Sequence, residues 1–118
     1  MGRKEFKACE AHKNLLKKYG FKITENYIGI KTAYLAEYDS GKEGAKIAYM
    51  AEYDALPEIG HGCGHNLLGT ASIGAGILLK EYADIYGGKV FVYGTPAEET
   101  FGAKVDMAEA GCFDEIDV

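Results

Sequence analysis

A strand–helix–strand pattern between residues 45 and 94 constrains the fold more than any other stretch of the chain. Residues 45–53 and 89–94 are predicted to be strands, and the second is apolar from Val90 to Tyr93, as in strands buried on both faces. Residues 66–86 show the longest helical periodicity in the sequence. Two strands joined by a helix lie parallel with a right-handed crossover in about 98% of cases. The pattern therefore predicts an α/β fold in which the carboxyl ends of both strands meet at one sheet edge.

The rest of the chain supplies further elements around this unit. Apolar periodicity and turn residues predict two more helices, at residues 4–19 and 100–110, and two more strands, at 21–30 and 113–118. In the central helix, each interior glycine would cost about 1 kcal/mol relative to alanine; these are Gly69, Gly74 and Gly76. Such glycines are tolerated where another backbone passes close, so we expect this helix to be buried against a sheet.

Two nearly identical segments lie at residues 33–39 and 48–54, with a glycine-containing turn between them. Neighbouring strands joined by such a turn commonly pair antiparallel, so a hairpin is expected. Asp39 in the first copy precedes a polar turn, whereas Asp54 in the second leads towards residues 61–66. We therefore expect Asp39 to be a solvated turn residue and Asp54 to have a functional role.

Residues 61–66 bring one thiol and two imidazoles together, separated by glycines. Cys63 and His65 are two positions apart, a spacing that can aim both side chains at one point. Sulfur and nitrogen donors suit a borderline divalent cation such as zinc or manganese. The alternative is a glycine turn whose polar residues happen to be adjacent. Connectivity favours a site, because Glu98 and Glu99 follow the second strand and reach the same sheet edge.

These residues can be combined into a hydrolytic mechanism. Cys63, His65 and one carboxylate would supply three metal ligands, and a second carboxylate could act as a general base towards water. Asp54 would suit the fixing of an imidazole tautomer. Two alternatives compete with this mechanism. Cys63 could be a nucleophile with a histidine as its base, although a two-residue separation orients the pair poorly. Glu98 and Glu99 could simply form an acidic first helical turn.

Composition argues against several classes of protein. The 118 residues carry a formal net charge of −5, which disfavours nucleic acid or an anionic membrane as the main partner. No apolar run approaches the roughly 20 residues needed to span a bilayer. The three cysteines are widely spaced and no apolar leader follows Met1, so a reduced, cytoplasmic location is expected.

Three ordered motifs give the chain a family resemblance: residues 51–57, 61–66 and 95–100. They resemble the successive motifs of the aminoacylase/hippuricase-type metallo-amidohydrolases, part of the co-catalytic metallopeptidase family that also holds the carboxypeptidase G-type enzymes. The similarity runs from Phe6 to Val118. Asn66, which follows the Cys-Gly-His sequence, points to the p-aminobenzoyl-glutamate hydrolase and dipeptidase-like branch.

The resemblance implies a three-layer helix–sheet–helix α/β domain with a mixed, mostly parallel sheet. It implies metal-dependent hydrolysis of amide bonds in N-acyl or N-aroyl amino acids or dipeptides. Two divalent ions are expected per complete site, with zinc or manganese first and nickel or cobalt able to use the same donors. The residues that it implies are the metal ligands Cys63, His65 and Glu99, the general base Glu98 and the orienting residue Asp54.

Members of this family are several times longer than this chain. Residues 1–118 are therefore expected to be the N-terminal part of a catalytic domain, without the lid or dimerisation domain of a homo-oligomeric parent. Two further histidine ligands of the family lie downstream, and His12 matches neither of them. His61 has no assured role and could lie behind the ligands. The alternative is a catalytically inactive, truncated remnant that binds metal weakly or not at all.

Overall fold

Three helices and four strands make up residues 5–118, the part of the chain that the computed structural model describes. Residues 1–4, which include the predicted start of the first helix, lie outside it. The helices are α1 (Phe6–Lys18), α2 (His65–Tyr86) and α3 (Ala103–Glu109). The strands are β1 (Lys22–Glu25), β2 (Tyr34–Asp39), β3 (Lys46–Ala51) and β4 (Lys89–Gly94). Among the described helices, none has both the length and the apolar content that crossing a membrane requires.

The predicted βαβ unit is confirmed. β3 and β4 pair in parallel, with Lys46 opposite Lys89 and Ala51 opposite Gly94, and α2 connects them. The strand order is β1-β2-β4-β3, and the other two pairings are antiparallel. The α/β class and the mixed sheet are thus as expected, but one pairing in three is parallel, which is less than the mostly parallel sheet that was predicted.

The predicted hairpin between the two similar segments is wrong. β4 lies between β2 and β3 and pairs with both. β4 can hold this central place because its residues from Val90 to Gly94 are all buried. The connection from β2 to β3 passes over the start of β4. Gly44 packs against the backbone of Gly87 and Gly88 there, at a distance that leaves no room for a Cβ.

Alternating side chains of β4 face two different layers. Val90 and Val92 join the cluster that contains Leu16 of α1 and Ile73 of α2. On the opposite face of the sheet, Phe91 and Tyr93 belong to a second cluster, which includes Ala103 and Met107 of α3. The expected three-layer arrangement is therefore confirmed, with α1 and α2 on one face of the sheet and α3 on the other.

Three predicted elements differ from the structure in extent. The strand expected at residues 21–30 ends at Glu25, because Asn26 and Ile28 adopt left-handed backbone angles and a 3-10 turn follows at Tyr27–Gly29. The helix expected from Thr100 begins only at Ala103. The backbone amides of residues 100–102 all donate to the carbonyl of Ala97, so these residues form a turn before the helix.

The strand expected at residues 113–118 is replaced by turns. Its last two residues still reach the sheet. The amide of Asp117 donates to the carbonyl of Lys46 at 2.9 Å, and the carbonyl of Val118 accepts from the amide of Ala48 at 2.8 Å. The segment therefore contacts the outer edge of β3 without extending along it.

The glycines of α2 meet different surroundings. A Cβ at Gly69 would collide with the backbone carbonyl of Glu52, and a Cβ at Gly76 would collide with the side chain of Val92. At Gly74 nothing lies within 4 Å of the Cβ position. Close approach to the sheet therefore explains Gly69 and Gly76, as expected, but it does not explain Gly74.

This contrast predicts opposite effects for two similar substitutions. Gly74→Ala should raise the free energy of unfolding by up to about 1 kcal/mol, because helix propensity improves and nothing is displaced. Gly69→Ala should lower it by about 1–3 kcal/mol, because α2 must move away from the end of β3. Chemical unfolding of both variants measures the difference, and an equal change in the two would contradict the close approach at Gly69.

Candidate metal centre

The carboxyl ends of β3 and β4 and the start of α2 deliver the candidate residues to one place. Asp54 follows β3, His65 is the first residue of α2, and Glu98 and Glu99 lie in the loop that follows β4. This is the edge at which open α/β folds bind ligands. The convergence that was predicted from connectivity is therefore observed.

Asp54 connects the other parts of the site. Its carboxylate is buried, and its Oδ1 lies 2.7 Å from Nδ1 of His65. Its Oδ2 accepts a hydrogen bond from the backbone amide of Glu99 at 3.0 Å. Since Nδ1 is held in this way, Nε2 is the ring nitrogen that faces the remaining carboxylates, with Oε1 of Glu99 at 3.5 Å.

Three side chains form a group that is able to hold a metal ion. One donor atom each from Cys63, His65 and Glu99 lies within 4.8 Å of the other two. His65 is buried, whereas Cys63 and Glu99 are exposed, so the group is open to solvent on one side. One sulfur, one nitrogen and one oxygen donor form a set that suits zinc and related divalent ions. The residues therefore fit a metal by the chemistry of their donors.

The surroundings of Cys63 disfavour its free thiolate. A hydrogen bond with Glu99 is the main cause that raises the pKa of the thiol, followed by desolvation and by the negative charges of Glu99 and Asp54. A nucleophilic cysteine needs the opposite, a positive neighbourhood that lowers its pKa. A metal cation among these groups would deprotonate a coordinating thiol. The raised pKa of the thiol thus argues against Cys63 as a nucleophile in the absence of a cation.

Two residues of the site, Glu52 and Lys104, were not among the candidates that the sequence reasoning identified. Oε2 of Glu52 lies 3.1 Å from Nε2 of His65, and its Oε1 forms an ion pair with Nζ of Lys104. Nζ of Lys104 also lies 3.0 Å from Oε2 of Glu98. The sequence did contain a signal for Glu52, which lies between the apolar residues Ala51 and Tyr53 of a predicted strand. A carboxylate buried at such a position needs a charged or hydrogen-bonding partner.

The positive charge of Lys104 is retained in this environment. Burial lowers the pKa of its ammonium, but hydrogen bonds to Glu52 and Glu98 and their charges outweigh that effect and raise the pKa above its usual range. Lys104 is therefore a fixed cation between two carboxylates at the border of the metal-binding group.

Other sequence interpretations are resolved by position. His61 is exposed in the turn before Cys63 and does not belong to the metal-binding group. Asp39 is exposed and accepts a hydrogen bond from the amide of Gly41, as expected for a turn residue. Glu98 and Glu99 do not form the acidic first turn of a helix, because both lie before α3 begins.

Comparison with known proteins agrees with the motifs. The chain is 38% identical to a polypeptide of the p-aminobenzoyl-glutamate hydrolase from Escherichia coli, over 96% of its own length and 27% of that protein. It is 40% identical to the Xaa-Arg dipeptidase of Mus musculus over 78% of its own length and 23% of that protein. It thus spans about a quarter of each of these relatives. No family model matches the sequence.

The fold supports the same relationship. A dinuclear metal-binding peptidase of the M20 family from Bacillus subtilis superposes with a TM-score of 0.82 at 26% sequence identity, over 98% of this chain and 36% of that one. The resemblance inferred from the three motifs is therefore confirmed. By sequence and by fold, the chain is homologous to the metal-dependent amidohydrolases and peptidases of the M20 family.

Proposed function

We propose that the protein is a metal-dependent hydrolase of amide bonds in N-acyl or N-aroyl amino acids or dipeptides. The observation that carries this proposal is the grouping of Cys63, His65 and Glu99 at the carboxyl edge of the sheet, with Asp54 behind them. The relatives support the substrate class, since one is a hydrolase of an aroylated glutamate and another is a dipeptidase.

We assign Cys63, His65 and Glu99 as ligands of a divalent cation. The dinuclear metal binding of the structural relative supports two ions in the complete site. Zinc and manganese are the first candidates, and nickel or cobalt could use the same donors. When bound, such a cation polarises the carbonyl of the scissile bond and makes water a stronger nucleophile at neutral pH.

The residues around the ligands have separate tasks in this proposal. Glu98 is the general base, which takes a proton from the attacking water and passes it to the leaving amine. Its side chain is 34% exposed, so water can reach it. Asp54 keeps the imidazole of His65 oriented by accepting at Nδ1, as carboxylates commonly do behind metal-binding histidines.

The chain supplies part of this machinery in the proposal. We assign residues 1–118 to the N-terminal part of a catalytic domain, with the remaining ligands and the lid or dimerisation domain contributed by the rest of a homo-oligomeric protein. The short share of each relative that the chain spans supports this assignment. We also propose that the substrate is a small molecule and that the protein is cytoplasmic. The three free cysteines agree with a reducing compartment.

Metal binding should depend on Asp54 although it is not a ligand. Asp54→Asn preserves the shape of the side chain but removes the charge that orients and polarises His65, so zinc affinity should fall by about 10- to 100-fold. Asp39→Asn, in the corresponding position of the similar segment, is the matched control and should leave the affinity unchanged. Isothermal titration of the 118-residue chain with zinc measures both.

Two results of this titration would count against the proposal. Equal affinities for Asp54→Asn and the unsubstituted chain would remove the orienting role of Asp54. Failure of the unsubstituted chain to bind zinc at saturation would instead favour the inactive remnant.

The hydrolytic mechanism is tested with the protein at the length of its relatives. Hydrolysis of N-acyl amino acids and dipeptides should stop when a chelator is added and resume when zinc or manganese is restored. Glu98→Gln should lower kcat by about 10²- to 10⁴-fold with an unchanged metal content, because the general base is lost. Glu109→Gln, at the exposed end of α3, is the control. Activity that survives both the chelator and Glu98→Gln would contradict the mechanism.

A further inference from the structure

Three carboxylates, those of Glu52, Asp54 and Glu99, lie next to a ring nitrogen of His65. A fourth, that of Glu98, is connected to them through Lys104. Each is of a type that can bind a divalent cation. The proposed function uses Glu99 as a ligand and Glu98 as a base, so the site needs a means of keeping these roles apart. The contacts of each carboxylate show how the roles can be separated.

Both carboxylate oxygens of Asp54 already have a hydrogen-bond partner. One of its oxygens is paired with Nδ1 of His65 and the other with the amide of Glu99. Its side chain is 1% exposed, so it has no freedom to turn towards a metal at Nε2. Asp54 is thereby kept behind the imidazole.

Glu52 is in a different position, because it faces the nitrogen that is assigned to the metal. Its Oε2 lies 3.1 Å from Nε2 of His65, which is as close as a competing ligand would lie. Its other oxygen is held by Lys104, and its side chain is 11% exposed. To bind a metal with both of its oxygens, Glu52 would have to leave its ion pair with Lys104, and the ammonium would lose a partner.

Lys104 holds Glu98 with the same ammonium group, at 3.0 Å from its Oε2. The lysine projects from the first turn of α3, where the neighbouring Ala103 and Met107 are completely buried against the sheet. The position of the ammonium is therefore set by the packing of α3. Of the three glutamates, Glu99 is the one that no lysine of the described residues contacts.

We propose that Lys104 is a positioning residue that keeps Glu52 and Glu98 out of the metal coordination sphere and leaves Glu99 as the carboxylate ligand. This inference rests on the proposed metal centre. Lys104 acts through the two glutamates and touches neither metal nor substrate. Without its charge, Glu52 is free to join Nε2 of His65 on the cation, which adds a negative ligand and raises the coordination number.

Cobalt(II) is the probe for the test, because the intensity of its visible absorption falls as its coordination number rises. The 118-residue chain is titrated with cobalt alone, and the same titration is run on Lys104→Met and Lys104→Arg. Lys104→Met should bind cobalt about tenfold more tightly, since an additional anionic ligand becomes available, and its absorption should weaken. Lys104→Arg keeps the charge and should retain the affinity and spectrum of the unsubstituted chain.

The double variant Lys104→Met/Glu52→Gln separates the role of Glu52 from a general effect of charge. Its absorption and affinity should return to those of the unsubstituted chain, because the added ligand is gone. Lys104→Gln replaces Lys104→Met if circular dichroism shows that the methionine variant is unfolded.

Each outcome has one meaning. If the unsubstituted chain binds cobalt but the neutral lysine variants behave like it, the role of Lys104 is refuted while the metal centre stands. A change that persists in the double variant refutes the role as well, because Glu52 is then not the added ligand. If the unsubstituted chain binds no cobalt, Cys63, His65 and Glu99 do not hold a cation in this chain, which refutes its metal centre and, with it, the role of Lys104.

Discussion

Asp54 is a buried residue, and its carboxylate makes two hydrogen bonds, to Nδ1 of His65 and to the backbone amide of Glu99. A buried charge is tolerated only with such partners. Because Asp54 follows β3, His65 begins α2 and Glu99 follows β4, this one group joins the ends of three elements. The geometry of the candidate site therefore depends on the two hydrogen bonds of Asp54, which also hold the ends of these three elements together.

All three layers of the fold contribute to that edge. The absence of a side chain at Gly69 lets α2 pass against the carbonyl of Glu52, which brings the start of the helix to the sheet. From the opposite face, α3 contributes Lys104, whose ammonium pairs with Glu52 and Glu98. The sheet itself presents the loops that carry the acidic residues. Packing in each layer thus sets the distance between charges that would otherwise repel one another.

Much of this arrangement could be predicted from the sequence, because local patterns and connectivity carry it. The apolar run of β4 and the long periodicity of α2 imply the parallel unit, and that unit brings Asp54 and the two glutamates after β4 to one edge. Strand order could not be read in this way. The expected hairpin rested on the short turn between the two similar segments, whereas in the structure β4 lies between β2 and β3 and pairs with both. The pair of Glu52 and Lys104 was also hidden, since it arises from the packing of α3 against the sheet.

The central claim is that Cys63 is a ligand in a metal centre with His65 and Glu99. X-ray absorption at the zinc edge of the zinc-loaded chain tests it most directly, because a sulfur ligand scatters at a distance of about 2.3 Å. We expect one sulfur among nitrogen and oxygen neighbours, lost in Cys63→Ser and retained in Cys112→Ser. A coordination shell of nitrogen and oxygen alone in the unsubstituted chain, unchanged by Cys63→Ser, would contradict the account.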